Sequence, residues 1–250
     1  MDPPSRAGYP PEMRVVLAIF RREFAGYFNS PLATIVIPVF LALVGVFCLF
    51  LNDIFVQGLA TMRTVFFWTA MFLALLVPAV TMRLFAEEKR TGSLELLLTM
   101  PVTEGQAVLG KYLAAVALIW VALAGTLTYP LTLARFGALD WGPVIGGYVG
   151  LGLLAAAYTA IGTATSSWTS NQIVAFLLAM VLCLVPYTMG FFLGSVPASL
   201  LPLVQYMSFD YHFDSMARGV IDSRNLVFYG SVIAGALHLA VFALEQRRLS

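Results

Sequence analysis

Six stretches of this chain are each long and apolar enough to cross a bilayer, and none of them contains an Asp, Glu, Lys or Arg: Leu32 to Leu51, Val65 to Met82, Tyr112 to Ala134, Val144 to Ser167, Gln172 to Gly194 and Leu226 to Leu244. A helix needs roughly 20 mostly apolar residues to span about 30 Å of hydrocarbon. Inside that layer every backbone polar group must be satisfied by the chain itself, which restricts the segments to helices. The expected fold is therefore an all-α integral membrane protein. Composition agrees, with 60% hydrophobic and 11% charged residues, against about 45–50% and about 25% in soluble domains. A net charge of +1 offers no basic footprint for phosphate backbones, so nucleic acid is not an expected partner.

The basic residues between the spans set an orientation. With the N-terminus inside, the inner segments hold Arg6, Arg14, Arg21, Arg22, Arg83, Lys89, Arg90, Lys111, Arg247 and Arg248, and the outer ones Arg63, Arg135, Arg218 and Arg224. The excess predicts that both termini are cytoplasmic. Trp68 and Trp141 then fall at the outer interface and Trp168 at the inner one, whereas Trp120 fits the belt poorly. The short run VVLAIF, flanked by Arg14 and by Arg21 and Arg22, lacks the h-region and small-residue cleavage site of a signal peptide, so the N-terminal segment is expected to be retained. Cys48 and Cys183 fall at different depths, and no disulfide is expected between them.

Ahead of the first span, EMRVVLAIFRREFAGYF places Met13, Val16, Leu17, Phe20, Phe24, Tyr27 and Phe28 on one helical face and Arg14, Arg21 and Arg22 around the other. That pattern predicts an amphipathic helix lying in the interface. Ser30-Pro31 reads as an N-cap followed by proline at the first helical position, so the next helix starts at an angle. Residues 1–31 thus form a tail and elbow helix, and residues 32–250 a six-span transmembrane domain.

Two connections are long enough to hold structure: an inner segment, 83–111, and an outer one, 195–225. The inner one carries EEKRTGSLELLLTMPVTEGQAVLGK from Glu87 to Lys111. Its GQAVLGKY approaches a phosphate loop, but lacks the Ser or Thr after the lysine, the preceding strand and the glycine-rich wrap. Thr103 and Gln106 instead make a capping box, with Glu104 in the first turn, so Gly105 to Lys111 opens the third span. Ser93 can cap a short helix, SLELLLTM, with Glu95 at its positive end and Pro101 as its stop. Leu94, Leu97 and Leu98 then suit either a docking surface or burial among lipids, and Glu87, Glu88, Lys89 and Arg90 supply charge for docking.

The stretch EEKRTGSLELLLTMPVTEGQAVLGKYL resembles the signature of ABC-2 type permease subunits, and in particular the gliding-motility-associated permeases; FDSMARGVIDSRNLVFYGS, from Phe213 to Ser231, is similar to that subgroup's second recognisable stretch. The first motif is shared with the permease of the nitrous-oxide-reductase maturation system. The resemblance implies a multi-pass protein of the bacterial inner membrane, paired with a second permease subunit and with two cytoplasmic ATPase subunits that bind ATP and magnesium. It also assigns ATPase docking to the helix after span two, which here falls among Glu87, Glu88, Lys89, Arg90, Gly92, Leu94, Glu95, Leu97, Leu98 and Pro101. The function implied is export or movement of a substrate driven by ATP. The alternative is force transmission, or assembly of an extracytoplasmic partner bound at 195–225, with no solute moved.

The remaining sequence supports a non-catalytic subunit. His238 is the one Asp, Glu, Lys, Arg or His inside a span, where ion-driven transporters carry charged residues or broken helices. HExxH, GxSxG and clusters of His, Cys and carboxylate at metal spacing are absent. Asp210, His212 and Asp214 alternate, but a helix there would turn His212 away from the aspartates and pair Asp214 with Arg218. With Asp222, these residues belong to an outer segment expected to form short interfacial or re-entrant helices. Gly146 to Gly150 has the small-xxx-small spacing of close helix packing. No cofactor is expected on this chain.

Overall fold

The computed structural model describes residues 11–48, 62–93, 102–137 and 139–248, and it contains no β-strand among them. The helices are α1 (Pro11–Asn29), α2 (Pro31–Val46), α3 (Arg63–Thr81), α4 (Ala86–Thr91), α5 (Glu104–Gly125), α6 (Thr128–Phe136), α7 (Trp141–Trp168), α8 (Gln172–Thr188), α9 (Leu201–Met207), α10 (Phe209–Ala217) and α11 (Ser223–Arg248), with a 3-10 turn at Met189–Ser195. Five helical stretches among the described residues have the length and hydropathy of membrane spans, or six if the bent pair Met13–Asn29 and Pro31–Val46 counts as one.

The caps behave as expected. Ser30 Oγ accepts from the Leu32 amide with Pro31 at the start of α2, and the helix axis turns by 72° across that junction. Thr103 and Gln106 form both hydrogen bonds of a capping box. The third span begins at Glu104, eight positions before its apolar run, because the box supplies a start within polar sequence. A turn at Thr126 and Leu127 then separates α5 from α6, and the Thr126 hydroxyl donates to Leu123 O at 2.6 Å.

Helix α7 is the axis of the bundle, and glycine makes it so. A Cβ on Gly147 would lie 2.2 Å from Phe66, and one on Gly162 2.0 Å from Thr81 Oγ1, so α3 runs against α7 at two crossings. Membrane helices gain little from hiding apolar side chains from equally apolar lipid, so packing rests on such close approaches. Buried hydroxyls in the same helix turn back on its own carbonyls, Thr159 onto Ala155 O at 2.7 Å and Thr163 onto Thr159 O at 2.7 Å, which lets polar residues enter the core. Helices α8 and α11 lie at the periphery, with leucine, valine and phenylalanine side chains directed outward. His238 is also exposed on α11.

Gly146 and Gly150 serve packing, against α10. A Cβ on Gly146 would meet Met216 O at 2.4 Å, and one on Gly150 would meet Phe213 and Met216. Trp120, out of place in an aromatic belt, donates its indole N–H to Gly152 O at 3.3 Å. Both cysteines are free thiols.

Phe20, Phe24 and Tyr27 of the predicted apolar face of α1 pack against the core. Ile19 and Tyr27 are the buried residues of this helix, whereas Met13 and Phe28 are about half exposed. The helix leans on α5, where Ile19 meets Gly110 and Glu23 meets Lys111.

Candidate functional site

The segment singled out by its charge starts with α4, whose position is set by the last turn of α7. Ser166 Oγ accepts the amides of Phe85 and Ala86, both at 3.1 Å, and donates to Met82 O at 3.0 Å. A serine from a distant span thus does what an N-cap residue does locally, satisfying amides at a helix start. Lys89 Nζ donates to Ser167 O and adds a second tie to the same turn. Gly92, at φ +75°, ends α4 in the left-handed region that glycine adopts without steric cost.

Glu87 and Glu88 take different partners. Arg83 meets Glu87 through a two-pronged pair, at 2.7 Å and 3.2 Å. This pair holds the Glu87 carboxyl below its usual range and the Arg83 guanidinium above its own. Glu88 turns inward instead. Its Oε1 lies 2.7 Å from Lys111 Nζ, and Lys111 also donates to Leu84 O at 2.9 Å and lies 3.4 Å from Glu23 of α1. The lysine side chain is only 2% exposed, with the Phe85 ring beneath it, its centroid 5.2 Å away. Burying such a charge is tolerable because its donors are matched by acceptors. Arg22 completes the group, 2.8 Å from Glu23 and 4.0 Å from Glu88; the bond to Glu23 raises its pKa.

Of the residues the sequence nominated, Arg90 and Gly92 are exposed, Glu87 partly so, and Glu88 and Lys89 are engaged within the chain. Leu94, Glu95, Leu97, Leu98 and Pro101 lie outside the described residues, as does most of the helix expected after Ser93. Sequence reasoning assigned no role to Glu23, Lys111 or Ser166. The one available signal was Lys111 itself, a cation at the mouth of an apolar run.

At the opposite end, α10 carries the outer residues. It is helical, and Asp214 and Arg218 form the ion pair that a helix there would allow. Arg63 approaches Asp214 at 3.5 Å. Asp210 sits beside Gly190, where an added Cβ would meet its Oδ2 at 2.5 Å; burial, reinforced by Asp214, pushes its carboxyl up to about 6. Asp222 caps α11, accepting the Arg224 amide at 2.9 Å. His212 points away from both aspartates: Nδ1 lies 2.8 Å from Asn225 Oδ1, Nε2 lies 3.1 Å from Tyr206 O, and the ring stacks on Phe228 with centroids 4.0 Å apart. This ties α9, α10 and α11 together. Among the described residues no group of His, Cys, Asp and Glu is placed to hold a metal.

A helical bundle with several apolar candidate spans and one small polar helix anchored at its end has the make-up of a multi-pass membrane protein. The chain belongs to the ABC-2 family of transporter proteins, whose family model matches residues 51–216. That stretch includes the α4 segment, its anchor on α7 and most of α10. Membership implies a permease subunit that works beside ABC ATPase subunits in a membrane. No curated protein matches the chain.

Proposed function

We propose that this chain is the permease subunit of an ABC transporter that couples ATP hydrolysis on separate ATPase subunits to export or movement of a substrate, with α4 and the segment following it as the coupling element. The observation that carries the reading is the anchoring of α4. It is held to α7 by Ser166 and Lys89 and to α5 by Glu88 and Lys111, while Arg90 and Gly92 face outward. A short helix fixed to two spans and exposed on its far side passes a displacement on to those spans. ATP and magnesium belong to the partner ATPase in this reading, and the chain itself catalyses nothing.

The same reading places the α4 end and both termini in the cytoplasm of a bacterium, with α1 lying in the inner-leaflet interface. Two permease subunits, identical or different, enclose the path, and residues 195–225 form its outer end. The specific relationship proposed is to the gliding-motility-associated permeases.

Co-expression with candidate ATPase subunits, followed by purification and ATP-turnover assays in lipid nanodiscs, tests this. The expected result is a stable complex whose turnover depends on the permease and falls on substitution of Glu87, of Glu88 or within 94–98. Normal coupling in all of those variants removes the assignment. Turnover with an extracytoplasmic protein bound at 195–225, and no cargo moved into vesicles, replaces transport with force transmission.

A further inference from the structure

Gly110 and Lys111 are the residues that imitate a phosphate loop, and the fold puts both to another use. A Cβ on Gly110 would stand 2.7 Å from Ile19 Cγ2 and 3.1 Å from Val16 O. Helices α1 and α5 therefore cross at a separation that only glycine permits. One residue on, Lys111 brings its buried ammonium to Glu23 of α1, Glu88 of α4 and the Leu84 carbonyl before α4. The ammonium hydrogen-bonds Glu88 and the Leu84 carbonyl and has Glu23 as a second carboxylate in ion-pair range. Glu88 Oε2 is buried without a hydrogen-bonding partner, so Glu88 is held at this place chiefly through its other oxygen on the lysine.

From this we infer that Lys111 locks α1 to α4, so that the N-terminal helix travels with the coupling element, and that Glu23 is a positioning residue for coupling. The source of the movement rests on the function proposed above; the lock itself does not. Its consequence is a second route through the protein. Displacement of α4 reaches α3 through the chain and α5 through Lys111, and it also reaches α2 through α1 and the 72° junction at Ser30. That junction is stiff, because Pro31 fixes the helix start and Ser30 Oγ donates to Tyr27 O at 3.2 Å.

The test uses the assembled permease and ATPase complex in nanodiscs. Nitroxide labels are placed at the exposed positions Arg21 and Thr91, and a second pair at Thr91 and Ser223. One narrow Arg21–Thr91 distance, unchanged by vanadate trapping, is expected for the native sequence. Lys111→Met and Glu23→Gln should lose it in favour of a broad distribution, and Lys111→Arg should restore it. Glu23→Gln keeps the buried lysine paired with Glu88 and so guards against simple misfolding of Lys111→Met. Retention of the narrow distance in both variants overturns the lock, as does a shift of Arg21 relative to Thr91 on trapping. If Thr91–Ser223 never responds to nucleotide and turnover ignores the permease, the proposed function fails, and the Arg21–Thr91 distances still decide the lock.

Discussion

Ser166 Oγ stands 3.1 Å from the Ala86 amide nitrogen across 80 residues of sequence, so the last turn of α7 caps the helix that carries the charged run Glu87 to Arg90. Replacing Ser166 with alanine removes an acceptor for two buried amides, an effect of about 1–2 kcal/mol at a helix start. Hydrogen exchange should rise at Phe85 to Thr91 and stay unchanged in α10. Exchange that is unaltered in α4 would show that the cap does not hold it.

Gly162 against Thr81 sets the α3 and α7 crossing nearest α4. An alanine there would put Cβ 2.0 Å from Thr81 Oγ1 and 2.8 Å from its Cβ, too close for a rotamer change alone to relieve. Overpacking of this kind costs about 1–3 kcal/mol. Gly162→Ala should unfold at a lower temperature in detergent, whereas Gly230→Ala, on the outward face of α11 with nothing within 4 Å, should be close to neutral.

At the other end, Gly146 meets backbone, the carbonyl of Met216, and backbone cannot swing aside. Gly146→Leu should lift α10 from α7 and expose His212, which is 3% accessible in the fold. Histidine modification by diethylpyrocarbonate, read by mass spectrometry at His212, checks this.

Asp210 gives the fold a pH dependence with a defined sign. Its carboxyl is raised from 3.8 to about 6 by burial and the neighbouring Asp214, so the native state holds a proton that the unfolded chain has released. Its contribution to stability is therefore full below about 4 and declines as pH rises through about 6. Asp210→Asn should melt higher than the native sequence at pH 7.5 and alongside it at pH 3.5. A constant offset between the two would mean that ionisation of Asp210 is not responsible.

Much of the architecture was legible in the sequence because membrane spans and caps are local codes. An uncharged apolar run satisfies its own backbone, and Ser30-Pro31, Thr103 with Gln106, and Asp214 with Arg218 act within one or two turns of themselves. The charges of EEKR were legible as a concentration, but their use was not. Nothing near Glu88 in the chain names Lys111 as its partner, and nothing near Ala86 names Ser166. Likewise, the apolar pattern of α1 foretold an amphipathic helix but not its neighbour, because amphipathicity does not say which helix it leans on.

The sequence by itself determined the apolar spans, their number to within the bent pair at Ser30, and the polar segment that interrupts them, because each depends on residues a few positions apart. Only the tertiary structure decided that Gly110 admits α1, that Lys111 is shared between Glu23 and Glu88, and that Ser166 seats α4. Those relationships depend on how close two distant helices can come, and that distance is set by glycine contacts and buried charge that no single stretch of chain contains.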